Sequence, residues 1–575
     1  MRPIKSYFQK LILFGFLYSI TLSALAQKPL NPIADNGPKS RIELIRADSL
    51  VGDNTVSQTQ TFMGNVIFKH RGVLLGCTKA IHNQSSNIIE AYGKVVINQG
   101  DTLTIVGDTL LYDGNQRMAQ VLGKNVTLRD KKVTLRTTKI LYNLNNDIAY
   151  YPKFGTINQD SSKLSSNQGY YNTKTKFFNY IGDVEILNPS YTLCTDSLDY
   201  DTYSKMAYFK SFTTIKSKDG DLSSYKGTYN INTKVSHFEG RARVSNLDYA
   251  LEADTLMFDN IAESGLAKGN VYFVSFTDSL TILGKKGIRT GKLGLTKIMG
   301  QTLSRYISKT DTLYLSSDTL LIYEKIKDKF LPDSLKSNFK PIKTDSLLLK
   351  DKKTKSDSLF TSTASKTPLD STKKDDLRRN MEKLVADGNV KVFRKDFQSI
   401  SDSLVYDLKD STIFFFQTPV IWNNQNQLEA DSVVIYMKNN RLSNMELRQN
   451  SFVVASDTIK NFNQIKGRKI DAYFDKASAI KDIKVDGNGE SLYFALDEKN
   501  KIVGLNKVQC SNMNFSFKDK KIKQITFRGN PESMLIPPRE IVKPDMALEK
   551  FEWKSNKKPT KELVVNGRSF ALPGL

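Results

Sequence analysis

The side chains that could carry chemistry in this sequence are aspartates that recur in one motif. The motif reads Asp-Ser/Thr-Leu-x-Tyr/Phe-Asp and is clear at residues 108–113, 196–201 and 402–407. Paired carboxylates of this kind could serve as general acid and base in glycoside cleavage. A catalytic pair, however, is needed once, whereas this aspartate returns at regular intervals. We therefore predict that it bonds backbone N–H groups at strand ends and turns.

Other patterns indicate neither catalysis nor metal binding. The sequence has no nucleophile elbow, phosphate-binding loop, His-Glu-x-x-His or dinucleotide fingerprint. Residues 219–221 and 486–490 lack the full ligand spacing of a calcium loop and are predicted to be β-turns. The three histidines have no second ligand type at a useful spacing. The three cysteines form no Cys-x-x-Cys, and an odd number gives no disulfide framework. We predict no catalytic residue, no metal and no cofactor, with buried free thiols favoured over a single disulfide.

The elements that carry the motif repeat every 29 or 30 residues. The segment 101–107 returns in similar form at 278–284, and the whole of 101–113 returns at 311–323. A second motif, Gly-x-Val-x-Phe/Ile, follows the first by about 16 residues, as at 64–68 and 269–273. Large apolar residues stand two apart in both motifs, which is the period of a strand. The sequence predicts an all-β, antiparallel array of stacked units with polar outer positions such as Asp199; a weak helical pattern occurs only at 376–385.

Composition divides the chain into five segments. Residues 1–26 resemble a secretory signal peptide, with a basic start, an apolar run and a small-x-small site before Gln27, so cleavage is expected near Ala26; a retained membrane anchor is the alternative. A first β lobe is predicted at 41–325 and a second at 381–530. Between them, 326–380 is rich in Lys, Ser and Asp and is predicted to be a disordered insertion. The tail at 531–575 is rich in proline, which excludes a central strand.

The formal net charge is +24, which favours acidic partners. Export argues against nucleic acid, so anionic lipid surfaces and phosphorylated glycolipids remain. Lysines scattered along solvated strand faces, serving only solubility, would give the same charge.

The two motifs, in phase with each other, resemble those of the OstA/LptA-like lipopolysaccharide-transport family, in particular the long OstA-like proteins of the Bacteroidota. The resemblance rests on Ala-Asp-Ser/Thr-Leu or its variants at 47–50, 253–258 and 430–433, alternating with Gly-Asn-Val-x-Phe, and covers most of 41–325 and 384–490. It implies a periplasmic β-jelly roll whose two facing sheets open into a groove for lipopolysaccharide acyl chains. Unpaired edge strands could join other lipopolysaccharide-transport proteins or further copies of the chain end to end.

The apolar faces of both motifs supply the predicted groove lining. An ordinary closed core is the alternative for the same positions. These positions are Val66, Phe68, Val95, Ile97, Leu110, Tyr112, Val184, Ile186, Leu198, Tyr200, Leu256, Phe258, Val271 and Phe273.

The predicted function is lipopolysaccharide or lipid A-type glycolipid binding and transport in outer-membrane assembly, without enzymatic activity. Two alternatives stay open at this point. One is an exported β-repeat scaffold or adhesin that binds no lipid. The other is a β-helical polysaccharide-degrading enzyme, for which the sequence lacks a cluster of Asp, Lys or Arg on one face.

Overall fold

The protein is described by a computed structural model that covers most of the chain and divides it into two compact units. Unit 1 is Met1–Ile186 and unit 2 is Leu187–Leu575. The predicted signal peptide and the predicted insertion at 326–380 lie outside the described residues. The residues described are 40–53, 58–100, 103–131, 133–159, 161–218, 220–277, 279–308, 311–324, 381–438, 441–457, 461–476, 479–497, 499, 501–518 and 521–568.

Both units are built from antiparallel strands, which confirms the predicted all-β class. Thirteen strands begin in unit 1: β1 (Glu43–Arg46), β2 (Ser49–Asp53), β3 (Thr59–His70), β4 (Val73–Asn83), β5 (Ile88–Gln99), β6 (Leu103–Asp113), β7 (Met118–Asp130), β8 (Val133–Asn143), β9 (Ile148–Tyr151), β10 (Gly155–Gln159), β11 (Ser162–Ser166), β12 (Gln168–Asn172) and β13 (Phe177–Asn188).

The strands that begin in unit 2 are β14 (Tyr191–Asp201), β15 (Met206–Phe209), β16 (Thr213–Ser217), β17 (Gly220–Ser224), β18 (Lys226–Asn230), β19 (Val235–Ser245), β20 (Tyr249–Asp259), β21 (Ser264–Ser275), β22 (Leu280–Thr290), β23 (Leu295–Ile307), β24 (Thr312–Glu324), β25 (Met381–Arg394), β26 (Phe397–Asp407), β27 (Thr412–Phe416), β28 (Val420–Asn423), β29 (Asn426–Glu429), β30 (Ser432–Lys438), β31 (Arg441–Ser456), β32 (Phe462–Phe474), β33 (Ile480–Leu496), β34 (Ile502–Lys518), β35 (Lys521–Arg528) and β36 (Glu532–Ile536). A single α-helix, α1 (Lys561–Val565), lies among the described residues. The weak helical pattern at 376–385 was misleading from Met381 onwards, because these residues pair with β24.

Where two long strands pair, the register shifts near their middle at a β-bulge in one of them, which bends that strand. In β21 the register shifts between Lys268 and Val271, where Gly269 and Asn270 have φ of 72° and 43°. The aspartate of the neighbouring strand braces this bulge, since Asn270 Nδ2 donates to Asp254 Oδ2 at 2.9 Å. A Cβ on Gly269 would lie 2.2 Å from the same oxygen, so glycine is required for space as well as for φ.

The same brace recurs along the chain, which explains why the aspartate is repeated. Asn65 Nδ2 donates to Asp48, Asn389 Nδ2 to Asp318, and the backbone N–H of Lys124 to Asp108. The aspartate that ends the motif has a different partner. Asp259 Oδ1 accepts the N–H groups of the next turn, at residues 261 and 262. The predicted structural role of the motif therefore covers two contacts, a bulge and a turn.

The bulges divide each long strand between two layers. Layer A consists of the strand halves on one side of the bulges, and these carry the Leu and Tyr of the first motif. Layer B consists of the strand halves on the other side, and these carry the Val and Phe of the second motif. Short strands make the division visible, because β8 pairs with β10 through its layer B half and with β9 through its layer A half. In unit 2, β14 pairs in the same way with β16 and β15.

The strands on either side of the predicted insertion are direct neighbours. Tyr323 of β24 pairs with Lys383 of β25, and Glu324 pairs with Met381. A core of buried side chains in unit 2 also runs from Leu280 through β25 to Phe515. The compact units thus divide between Ile186 and Leu187, not at residues 326–380 where the sequence placed the lobe boundary.

The C-terminal tail packs across unit 2 as a strap, residues 537–568. Two glutamines, both 0% exposed, fix it to the outer surface of the sheet. Gln464 Nε2 donates to the carbonyl of Met546 at 2.9 Å, while Leu548 N donates to Gln464 Oε1 at 2.8 Å. Gln427 makes the same pair of bonds with Glu552 O and Lys554 N, at 2.7 and 2.8 Å. Each side-chain amide therefore binds the strap as a peptide group of a neighbouring strand would.

Candidate functional site

The interior of unit 1 is closed by a row of three tyrosines in layer A. Register pairs place Tyr112, Tyr142 and Tyr171 in one row, separated by Ala119 and Ala149. The three rings are at most 1% exposed. Alternation of large and small side chains lets the rings fill the space between the layers without overlap.

Each tyrosine is bonded to a residue at the far end of layer B. Tyr112 Oη lies 2.6 Å from His70 Nδ1, Tyr142 Oη donates to Gln99 Oε1, and Tyr171 Oη donates to Asp130 Oδ2 at 2.7 Å. Lys176 also forms an ion pair with Asp130. The strands β3 and β6 are separated in the ladder by β4 and β5. Such a bond requires layers that face each other, so the three pairs close the side of unit 1 opposite the bulges.

Burial sets the ionisation of this row. Loss of solvent raises the pKa of Tyr112 and of Tyr142 to about 12. Burial, followed by the bond to Asp130, raises the pKa of Tyr171 as well. Burial lowers the pKa of His70, because the charged imidazolium is disfavoured away from water. The three tyrosines and His70 are therefore neutral at neutral pH.

In unit 2 the same repeat position is less covered. Tyr200, Tyr229 and Phe258 form one row through Ala207 and Ser236, and all three aromatic rings are half-buried. Burial, and then nearby Tyr229, raises the pKa of Tyr191 at the start of β14.

A second half-buried row lies in layer B of unit 2. Leu222 pairs with Val244, Val244 with Leu251, and Leu251 with Phe273. All four are half-buried, whereas Phe68, Ile97 and Leu128, at the matching positions of unit 1, are at most 1% exposed. We call these four residues and the row Tyr200–Tyr229–Phe258 the unit 2 lining.

The predicted groove residues fall into two groups. Four are half-buried: Ile186, Tyr200, Phe258 and Phe273. Ten are at most 3% exposed and packed in the interior: Val66, Phe68, Val95, Ile97, Leu110, Tyr112, Val184, Leu198, Leu256 and Val271. Their contact with a lipid stays a prediction, and the ten can make it only if the layers move apart.

Sequence reasoning missed the complete aromatic row and its polar partners. Together with Tyr200, the residues Tyr142, Tyr171 and Tyr229 continue the series that begins at Tyr112, at spacings of 29 or 30 residues, so the repeat itself contained the signal. Their bonds to His70, Gln99 and Asp130 join strands that are distant in sequence and could not be read from the repeat.

Basic side chains stand beside the unit 2 lining. Lys205 and Lys234 occupy the last, left-handed position of the turns after β14 and β18, with φ of 58° and 59°. Lys176 has the same position in the turn after β12, where it pairs with Asp130. The prediction that Asp199 lies on a solvated face is wrong, since it is only 6% exposed; an ion pair with Lys210 compensates its charge.

The described part of the chain contains no metal-binding cluster and no disulfide. Within it, no three His, Cys, Asp or Glu side chains converge on a possible metal position. Cys77 and Cys510 are buried free thiols and Cys194 is an exposed one. None of the helices described there is long and apolar enough to cross a membrane.

Comparison with known proteins identifies the repeat. The family model described as OstA-like protein matches residues 39–196 and 190–254. Residues 39–254 are similar to the OstA-like family. The OstA-like region thus contains all three tyrosine pairs and most of the unit 2 lining, and the predicted resemblance is confirmed. A solved structure, LptH, described as the LptA homologous periplasmic component of the lipopolysaccharide transport device of Pseudomonas aeruginosa, matches 26% of this chain and 98% of its own, with 14% identity and a TM-score of 0.18. No curated protein matches the chain significantly.

Proposed function

We propose that the protein binds the acyl chains of a lipopolysaccharide-type glycolipid between its two layers and transports the lipid in the periplasm for outer-membrane assembly. The observation that carries the proposal is the unit 2 lining, two facing rows of half-buried apolar side chains. Each methylene buried there would contribute about 0.8 kcal/mol. Since neighbouring positions of the repeat are alike, a bound chain could move along the rows without leaving a deep subsite. The OstA-like family supplies the lipid class.

The closed interior of unit 1 extends the proposal. Acyl chains can enter between its layers only when the bonds of Tyr112, Tyr142 and Tyr171 open. These bonds join polar groups that water can also satisfy, and acyl chains would replace the apolar contacts that the layers lose when they separate. Unit 1 would accordingly be closed when empty and open when lipid is passed along it.

The polar part of the lipid would meet the lysines beside the lining. Lys205 and Lys234 carry ammonium groups that suit the phosphates of a lipid A-type glycolipid. The edges of the array suit protein partners. Strands β1 and β2 present Leu44, Ile45, Leu50 and Val51, and β36 presents Met534 and Leu535, all more than 40% exposed. Such edges favour pairing with other lipopolysaccharide-transport proteins or with further copies of the chain.

In-cell photo-cross-linking tests the lipid path. A photoreactive residue at Tyr229 or Phe258 should give adducts with lipopolysaccharide. Tyr208 is the matched control, because it follows Ala207 on the opposite face of β15 and is 38% exposed. Absence of adducts at Tyr229 and Phe258 in folded, exported protein, or equal adducts at Tyr208, would reject the lipid path and favour a scaffold. Adducts at Tyr142 would show in addition that unit 1 opens.

A further inference from the structure

A cavity of about 520 Å³ lies between the strap and the sheet of unit 2. Its volume is within the range of small-molecule sites, about 300 to 1,000 Å³. It belongs to neither row of the unit 2 lining. The chain has two tryptophans, and both line this cavity. The lining is Trp422, Asn424, Gln425, Ser456, Asp457, Trp553, Ser555 and Lys558.

The aromatic side chains are fixed in place. Trp422, 1% exposed, forms the floor and donates its indole N–H to Gln427 Oε1 at 3.2 Å. Trp553 belongs to the strap and is half-buried, with its ring packed against Phe462 at 4.9 Å between centroids. An indole held in this way presents a rigid ring face with negative partial charge, which attracts the weakly positive C–H groups of a sugar ring.

Polar groups that suit hydroxyls stand beside the indoles. Asn424 and Gln425 form the two-residue turn between β28 and β29. Within the described part of the chain, no side-chain hydrogen bond engages Gln425 or Ser555. The amide of Gln425 and the hydroxyl of Ser555 can each donate and accept, as sugar hydroxyls require.

The single basic group of the lining adds a preference for charge. Lys558 Nζ donates to the carbonyl of Asn424 at 3.1 Å, and no described carboxylate lies within ion-pair distance of it. Burial lowers the pKa of Lys558, so an anion beside it would be favourable. The carboxylate of Asp457 already accepts the backbone and side-chain N–H groups of Asn461, at 2.8 and 2.9 Å.

We propose that this cavity binds a sugar ring that carries an anionic substituent, a phosphate or a carboxylate. Trp553 contacts the ring face, Gln425 and Ser555 bind hydroxyls, and Lys558 binds the anion. The site deepens the proposed function, on which it rests for its biological ligand. It would hold the acidic saccharide of a glycolipid apart from the acyl chains.

Intrinsic tryptophan fluorescence of the full chain measures this site directly, because both tryptophans line it. Glucose 1-phosphate and glucuronic acid are the probes, with glucose and inorganic phosphate as the corresponding fragments. The expected result is a saturable change with at least one acidic sugar, and affinity at least about tenfold weaker for both fragments. Lys558→Gln should remove the preference for the acidic sugar over glucose. Lys557→Gln is the matched control, since Lys557 is outside the lining and 53% exposed.

Three outcomes would overturn the site. They are no saturable change with either acidic sugar, equal binding of inorganic phosphate alone, or an unaltered preference in Lys558→Gln protein whose emission shows that it is folded. Cross-linking separates this result from the lipid path. Sugar binding without lipid adducts at Tyr229 would keep the cavity site and reject the transport proposal. Lipid adducts at Tyr229 without sugar binding would keep the transport proposal and reject the cavity site.

Discussion

Single residues explain why one short motif is repeated along the chain. The first aspartate of each motif supports a bend, as Asp254 does at Gly269 and Asn270. The last one closes a turn, as Asp259 does. Both are backbone tasks that every unit needs, which is why neither position is reserved for catalysis. The sequence predicted this role from recurrence, but the specific partner of Asp254 lies on the next strand and required the structure.

Replacing Gly269 with alanine should destabilise unit 2 more than the same change at Gly72 destabilises unit 1. Both glycines have positive φ, 72° and 82°, which costs about 1 kcal/mol for alanine. Only Gly269 also lacks space, because its Cβ would meet Asp254, whereas nothing lies within 4 Å at Gly72. We expect an additional 1 to 3 kcal/mol at Gly269, measured by denaturant unfolding followed by hydrogen exchange in β20 and β21. Equal losses at the two sites would contradict the brace.

Acid should weaken unit 1 through its buried histidines. Burial lowers the pKa of both His70 and His82, so the folded state binds fewer protons than the unfolded state below about pH 6.5. The contribution of these two groups to the free energy of unfolding is therefore fully present above that pH and is lost as the pH falls below it. Hydrogen-exchange protection of β3–β6 should decrease from pH 7.5 to 5.5, after correction for intrinsic rates. His70→Gln should reduce this slope, and His237→Gln, with a side chain 39% exposed, should leave it unchanged.

At the scale of elements, the strap covers one face of β28–β34 through side chains rather than a strand ladder. Gln427 and Gln464 point to the same face because each is paired with Val454 of β31. Asp545 bonds Lys507 at 3.1 Å, and Lys561 lies 5.4 Å from the ring centre of Tyr314. Proline content correctly excluded a central strand in the tail. It could not reveal the buried amides, because glutamine at these positions looks like an ordinary polar residue.

Gln427→Ala and Gln464→Ala should each release the strap. Each change removes the two hydrogen bonds to the strap and leaves an N–H and a carbonyl of the strap without these partners, which costs about 1 to 3 kcal/mol. Limited proteolysis within residues 541–558 should become faster in both variants. The exposed Gln524→Ala should not change the rate. An unchanged rate in both variants would mean that the strap is held by its apolar contacts, such as Phe551 against Phe462.

At the scale of the whole molecule, unit 2 is continuous across the segment that the sequence set apart. Strands β24 and β25 pair along most of their length although residues 325–380 separate them in sequence. Composition predicts a disordered insertion at 326–380, which lies outside the described residues. It could not tell a linker between lobes from an insertion within a ladder, because both have the same polar, lysine-rich composition.

Replacing residues 327–378 with a short Gly-Ser loop should leave unit 2 folded. Glu324 and Met381 are register partners, so about five residues are enough to join them. The shorter loop reduces closure entropy and should stabilise unit 2 by roughly 2 kcal/mol or less. Thermal unfolding and hydrogen exchange of β24 and β25 measure the effect. Loss of protection in these strands would assign the replaced segment a structural role.

The sequence by itself determined the repeat, the strand period, the antiparallel class and the resemblance to the OstA-like family, because each depends on residues close together in the chain. Leu110 and Tyr112, for example, lie on the same face of a strand because they are two residues apart. Only the tertiary structure decided which parts of the interior are closed. Tyr112 and Tyr200 occupy the same repeat position, yet the first is fully buried against His70 and the second is half-buried. That difference depends on partners about 40 residues away and on layers that face each other, and no local pattern encodes it.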